Sequence, residues 1–379
     1  MERLIALCLL PACLAAAPKP ADSAPVAVFE AKKVDSPKGV PYGSIRIPAL
    51  LMTAKGTLIA VAEGRDKSTD QAGNDLVCAT SKDQGKTWSK AALAYEQGDD
   101  SCNNPCLVQD AKSGRVFLFF QTFPAGSKEF GGLPAGPKNP KGNRLKYVSS
   151  DDEGATWSKP VDVSNELKPD NAVTCASGPG VGIQVQKGKF AGRLVMPFNS
   201  QDPKRNFVNW VAYSDDAGKT WKRGAEVPQE GGLQLNEVQV AELGDGSLYL
   251  NSRRWKGTAL RKVSWSQDGG ATWSKAIDDA GLPEPTCQGC LLSASVGGKA
   301  TVFFLNPAGN PPGKGRANGT LRRSDDGGKT WAESTLIFPG PFAYSSMAKV
   351  GKDIGVLYEP NNNTVVLFQR IADTQLEGK

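Results

Sequence analysis

Short alternations of apolar and polar residues recur along the whole chain, and they read as strands. Runs such as Arg115-Val116-Phe117-Leu118-Phe119-Phe120, Ser247-Leu248-Tyr249-Leu250 and Ala300-Thr301-Val302-Phe303-Phe304 are bounded by Gly, Pro and Asp. No long helical period appears.

One motif recurs five times between these runs: SKDQGKTW from Ser81, SDDEGATW from Ser150, SDDAGKTW from Ser214, SQDGGATW from Ser266 and SDDGGKTW from Ser324. Each copy reads S-x-D-x-G-x-T-W. The residue types are those of a tight turn, because Ser and Asp side chains bond nearby amides, Gly supplies positive φ, and Thr-Trp starts the next strand with an anchoring aromatic. The copies lie 52 to 69 residues apart, the length of a four-stranded blade with its loops. Dividing the remaining chain by that period gives about six blades. An all-β, six-bladed β-propeller over 23–379 is therefore expected, as a single domain.

Composition then narrows the chemistry. The net charge is +6, but Lys and Arg are scattered, which gives no support to nucleic-acid binding. The chain has no histidine, so Ser-His triads, imidazole bases and His-bearing zinc sites are excluded. Any acid–base work falls to carboxylates, Tyr, Lys or Cys. No cofactor and no metal are expected.

Residues 1–22 begin MERLIALCLLPACLAAAPKP, a basic residue followed by an apolar stretch ending in small residues. That is the pattern of a signal peptide, and it predicts a secreted or cell-envelope protein without a transmembrane segment. Cleavage after the Ala15-Ala16-Ala17 run and a lipoprotein-type Cys13 both remain open. Six cysteines follow, at 78, 102, 106, 175, 287 and 290. In an exported chain they predict disulfides, with Cys102/Cys106 and Cys287/Cys290 as local closures and a Cys-x-x-Cys zinc site as the alternative. Asn318-Gly319-Thr320 and Asn362-Asn363-Thr364 fit the glycosylation acceptor pattern.

The five repeats resemble the Asp-boxes of the sialidase (neuraminidase) family, and they cover most of the chain. Their aspartates, Asp83, Asp152, Asp216, Asp268 and Asp326, read as structural. The resemblance extends to single residues. Ser44-Ile45-Arg46-Ile47-Pro48-Ala49-Leu50 is similar to the Arg-Ile-Pro segment that supplies the first arginine of the family's carboxylate-binding triad. Arg253 in Leu250-Asn251-Ser252-Arg253 and Arg316 in Gly315-Arg316-Ala317 match the second and third. Planar guanidinium forks suit a sugar carboxylate better than lysine does. On an alternating strand only one of Arg253 and Arg254 can face a cleft, and the pattern favours Arg253.

The resemblance also implies a nucleophile, Tyr344 in Gly340-Pro341-Phe342-Ala343-Tyr344-Ser345, and its base, Glu237 in Leu235-Asn236-Glu237-Val238. A neutral phenol approaches an anomeric carbon that carries a carboxylate without the repulsion a carboxylate nucleophile meets. The acid/base is expected to be Asp70 in Gly64-Arg65-Asp66-Lys67-Ser68-Thr69-Asp70-Gln71, with Asp66 and Asp75 as competitors. Arg65 is similar to an accessory substrate arginine, and Glu359 to the late glutamate that orients the first triad arginine. The implied activity is that of a retaining exo-α-sialidase acting on sialylated glycans. A trans-sialidase or a non-catalytic sialic-acid-binding propeller would use the same scaffold.

Overall fold

The computed structural model of the chain describes residues 23–230, 234–256, 258–331, 333–360 and 363–376, together with the backbone of 19–20. Six sheets account for nearly all of it. The first consists of Ser44–Met52, Leu58–Arg65, Asp75–Ser81 and Ala92–Tyr95, each hydrogen-bonded antiparallel to the next. The following sheets are led by Ser101–Gln109, Thr174–Ser177, Gln234–Glu242, Cys290–Val296 and Ser345–Val350. In the sixth sheet the early strand Val26–Glu30 pairs antiparallel with the late strand Val365–Ile371. The two ends of the described chain thus close the ring in one blade, which leaves no open seam between first and last. The expected six-bladed propeller is the observed fold.

Period-two alternation explains why the blades stack. In Leu58–Arg65, Leu58, Ala60 and Ala62 pack toward the sixth blade with Phe29, Leu357 and Phe368, whereas Ile59 and Val61 pack toward the second with Leu107, Leu118 and Phe120. In Val116–Phe123, Leu118 and Phe120 face that same seam, while Phe117 and Phe119 face the third blade with Leu194 and Trp210. A strand buried on both faces becomes a nearly continuous apolar run. Leu58–Arg65 and Val116–Phe123 are buried at every position.

The five repeats fold alike. Each lies after the third strand of its blade. In the third blade Ser214 donates to Asp216 at 2.7 Å, and Asp216 accepts from the Thr220 amide and hydroxyl at 2.9 and 2.6 Å. Gly218 donates its amide to the Ser214 hydroxyl at 2.9 Å. Gly218 has φ +80°, and a Cβ there would meet the Phe117 ring of the preceding blade at 2.2 Å. The glycine is required twice over, for its backbone and for contact with the next seam. Asp83, Asp152, Asp268 and Asp326 make the equivalent bonds to Thr87, Thr156, Thr272 and Thr330. None of the five lines the central pocket described below.

Three expectations change. The six cysteines are unpaired and buried. Cys102 and Cys106 lie on one strand, facing Thr122 and Phe119 of its neighbour. Four residues of strand extend about 13 Å, less a bulge, far beyond a disulfide's reach of about 6 Å. Cys290 instead contacts the Ser345 hydroxyl at 3.3 Å. No metal-holding cluster of His, Cys, Asp or Glu occurs among the described residues, which removes the zinc alternative for Cys287 and Cys290. The Asn318 acceptor pattern is packed into a strand, where its side chain donates to Gly309 at 3.4 Å and accepts from the Gly340 amide at 3.2 Å.

The expected targeting segment lies outside the described residues, apart from Lys19–Pro20, which runs parallel to Thr335 and Leu336 at the outer edge of the fifth blade. Asn362 also lies outside them. No described helix is long and apolar enough to cross a membrane.

Candidate active site

The first and second strands of the blades, with the loops that follow the second strands, line a central pocket of about 180 Å³. Arg46 lies on Ser44–Met52, where the ladder is broken between Arg46 and Ala49. Ile47 takes φ +57°, a costly conformation for a β-branched residue. Fully buried Glu359 holds both features at once. Its Oε2 accepts from Arg46 Nε and Nη2 at 3.2 and 2.9 Å, and its Oε1 accepts from the Ile47 amide at 2.6 Å. Burial works to lower the Arg46 proton affinity, but the Glu359 charge reverses that and raises it. The guanidinium stays charged.

Tyr344 lies just ahead of the first strand of the sixth blade and is buried. Its ring has the Arg46 and Arg316 guanidinium carbons 5.1 and 5.7 Å from its centre. Arg253 Nη1 donates to the phenol oxygen at 3.1 Å and to Glu237 Oε2 at 2.7 Å. The phenol itself donates to Glu237 Oε1. Arg316 is aimed by a bond from Nη2 to the Thr286 carbonyl at 3.0 Å. Four segments remote in sequence therefore meet at one phenol. Burial, then the Glu237 charge, push the phenol far above its ordinary pKa, while Arg253 and Arg316 pull the other way. The resting side chain is a neutral hydroxyl with an acceptor already in contact.

Alternation places the two arginines on opposite faces of their strand. Arg253 lines the pocket, and the Arg254 amide bonds Glu284 behind it at 2.8 Å. Trp255, two residues beyond Arg253 on the same strand, also lines the pocket.

Of the three aspartates the sequence leaves open, only Asp70 lines the pocket. Asp66 is paired with Lys38 at 3.1 Å, and Asp75 is buried under the Tyr42 hydroxyl at 2.6 Å. The Asp70 carboxyl is 68% exposed and accepts from Arg65 Nη1 at 2.9 Å. Arg65 also donates from Nε to Glu63 at 2.8 Å, and its Nη2 pairs with the same carboxylate at 2.6 Å. Its fork is thus engaged by two carboxylates, although it still borders the pocket.

The site also contains residues that the motifs did not mark. Glu129, Phe130, Asn103, Asn104, Gln121, Asn199 and Asn236 line it. Burial, followed by the charges of Asp70 and Glu237, pushes the Glu129 carboxyl up to about 7 against the pull of Arg253. Phe130, on the long loop after Val116–Phe123, stacks on Trp255 with centroids 5.4 Å apart. Trp255 was within reach of the alternation rule, since it shares the Arg253 face. Glu129 and Phe130 carry no such signal, because their loop has no period.

Fold and site together define a six-bladed β-propeller built on five Asp-box-like repeats, with arginines gathered around one buried tyrosine. A family model described as a BNR repeat-like domain matches residues 56–357. A sialidase of Micromonospora viridifaciens is 31% identical over 362 residues, covering 92% of this chain and 54% of its own length. An exo-alpha-sialidase of Aspergillus fumigatus is 30% identical, covering 85% of this chain and 80% of its own. Among solved structures, a Hadza microbial sialidase aligns with a TM-score of 0.78 at 27% identity, covering 87% of this chain and 66% of that one. The chain belongs to the sialidase family. It spans little more than half the length of the Micromonospora relative.

Proposed function

We propose that the chain is a retaining exo-α-sialidase that removes terminal sialic acid from sialylated glycans through a covalent tyrosyl intermediate. The observation that carries this reading is the contact of Tyr344 with both Glu237 and Arg253, inside a ring completed by Arg46 and Arg316. Three guanidinium groups can hold a carboxylate attached to the reacting carbon. The phenol oxygen then attacks the anomeric carbon, and its proton passes to Glu237. The bond to the leaving oxygen breaks as Asp70 supplies that oxygen with a proton.

In the second half, water attacks the same carbon and gives a proton to Asp70. The tyrosine oxygen departs and recovers its proton from Glu237. Two displacements at one carbon return the original configuration. No cofactor or metal enters the scheme. A small pocket of about 180 Å³ bordered by Phe130 and Trp255 supports action on a terminal sugar. The signal-like N-terminal pattern supports export, so the substrates would be glycans outside the cytoplasm.

The test follows the first product formed from a sialoside by proton NMR. Release of the α-anomer before mutarotation supports retention. First release of the β-anomer would remove the tyrosyl intermediate. The stacked Phe130–Trp255 pair also favours a second reading, in which a sugar hydroxyl stacked there replaces water as acceptor. Sialylated transfer product formed in the presence of lactose distinguishes it.

A further inference from the structure

We propose that Glu63 is the positioning residue of the acid/base step, fixing the place of Asp70 and balancing the charge beside it. The inference rests on Asp70 being the acid/base. Glu63 and Arg65 alternate onto one face of Leu58–Arg65 and are both fully buried.

Asp70 itself sits in an exposed loop and is held at three points. Arg65 Nη1 bonds its carboxyl at 2.9 Å, and the Asn103 and Asn74 side-chain amides bond its backbone carbonyl at 2.8 and 2.5 Å. All three holders converge on Glu63. Its Oε2 accepts from Arg65 Nε at 2.8 Å, from Asn103 at 3.2 Å and from Asn74 at 3.4 Å, and its Oε1 accepts from the Asn104 amide at 2.7 Å. Asn104 has φ +56°. The buried carboxylate is thus the partner that all three holders of Asp70 share.

Its charge matters as well. A bare guanidinium beside Asp70 would stabilise the carboxylate and weaken it as a proton donor. Glu63 offsets Arg65 from the other side. Arg46 and Glu129 are further charged groups coupled to the Asp70 carboxylate. Burial pushes Glu63 itself up and Arg65 pulls it down.

The experiment compares Glu63→Gln, Asn103→Ala and Asp70→Asn on two substrates. A methylumbelliferyl sialoside has a leaving group that needs little protonation, and sialyllactose has one that needs much. Glu63→Gln is expected to cut kcat/KM about 30-fold on sialyllactose but by under about threefold on the aryl sialoside. It should also move the alkaline limb of the sialyllactose pH profile down by about one unit, because Arg65 is then unbalanced. Asn103→Ala should give the same substrate split with the limb in place. Equal losses on both substrates with an unmoved limb would overturn the proposal and leave Glu63 a structural residue. Should Glu63→Gln fail to fold, equal losses in Asn103→Ala decide against it. Asp70→Asn separates the two layers: no substrate split in that variant refutes the acid/base assignment of Asp70 itself.

Discussion

Tyr344 donates its phenol proton to Glu237, 107 positions earlier in the chain, and one nitrogen of Arg253 donates to both. A buried phenol has little tendency to ionise, so its activation depends on an acceptor already in contact. Glu237→Gln keeps the shape and an acceptor but removes the base. Turnover of a fluorogenic sialoside is expected to fall about 10³-fold, with KM changed little. Loss confined to KM would make Glu237 a binding residue instead.

Arg316 approaches the same ring, held by the Thr286 carbonyl at 3.0 Å. Lysine keeps the charge but cannot present a planar fork to a carboxylate. Arg316→Lys is expected to raise KM about tenfold or more in steady-state kinetics. An unchanged KM would remove Arg316 from carboxylate binding.

Much of this was legible in the chain, and the division has a physical basis. The Asp-box turns depend on residues four apart, so Ser214, Asp216, Gly218 and Thr220 show their partners within one window of sequence. Strand alternation separated Arg253 from Arg254 because the cleft lies on one face. Asp70 was harder to choose, since Asp66 and Asp75 occupy the same stretch and only the fold turns one toward Lys38 and the other under Tyr42. Glu129 and Phe130 were invisible for a different reason: a long aperiodic loop carries them over the pocket. The Cys102/Cys106 pair misled because closeness in sequence along an extended strand is distance in space.

Gly218 combines positive φ with contact against Phe117 of the neighbouring blade. Gly218→Ala therefore strains its turn and opens a seam. Denaturant unfolding should register a loss of about 2 kcal/mol or more, while specific activity of the folded fraction stays near normal. A loss below about 0.5 kcal/mol would show that the blades shift to accept the methyl group.

Asp75 lies buried, and burial pushes its carboxyl up from 3.8 to about 6, with the Tyr42 hydrogen bond opposing. In the unfolded chain the same carboxyl ionises at its ordinary value. Its favourable contribution is therefore complete below about pH 4 and is lost as pH rises through about 6. Asp75→Asn removes that dependence. The stability of the natural protein relative to Asp75→Asn should fall by on the order of 3 kcal/mol between pH 4 and pH 7.5. A difference independent of pH would mean that Asp75 ionises normally in the folded protein.

The free thiols also predict a simple result. Alkylation of the denatured, unreduced chain should label Cys78, Cys102, Cys106, Cys175, Cys287 and Cys290 completely. Prior reduction should add no label at these positions. Protection of any of them before reduction would reveal a disulfide.

The covalent step can be observed directly. A sialosyl fluoride carrying a second fluorine at C3 slows both displacements through the electron-withdrawing substituent, while the fluoride leaving group keeps the first one accessible. Peptide mass spectrometry of the inactivated protein is expected to find the sugar on Tyr344, and Tyr344→Phe to remain unlabelled. A sugar attached to any other side chain, with Tyr344 unmodified, would contradict the account.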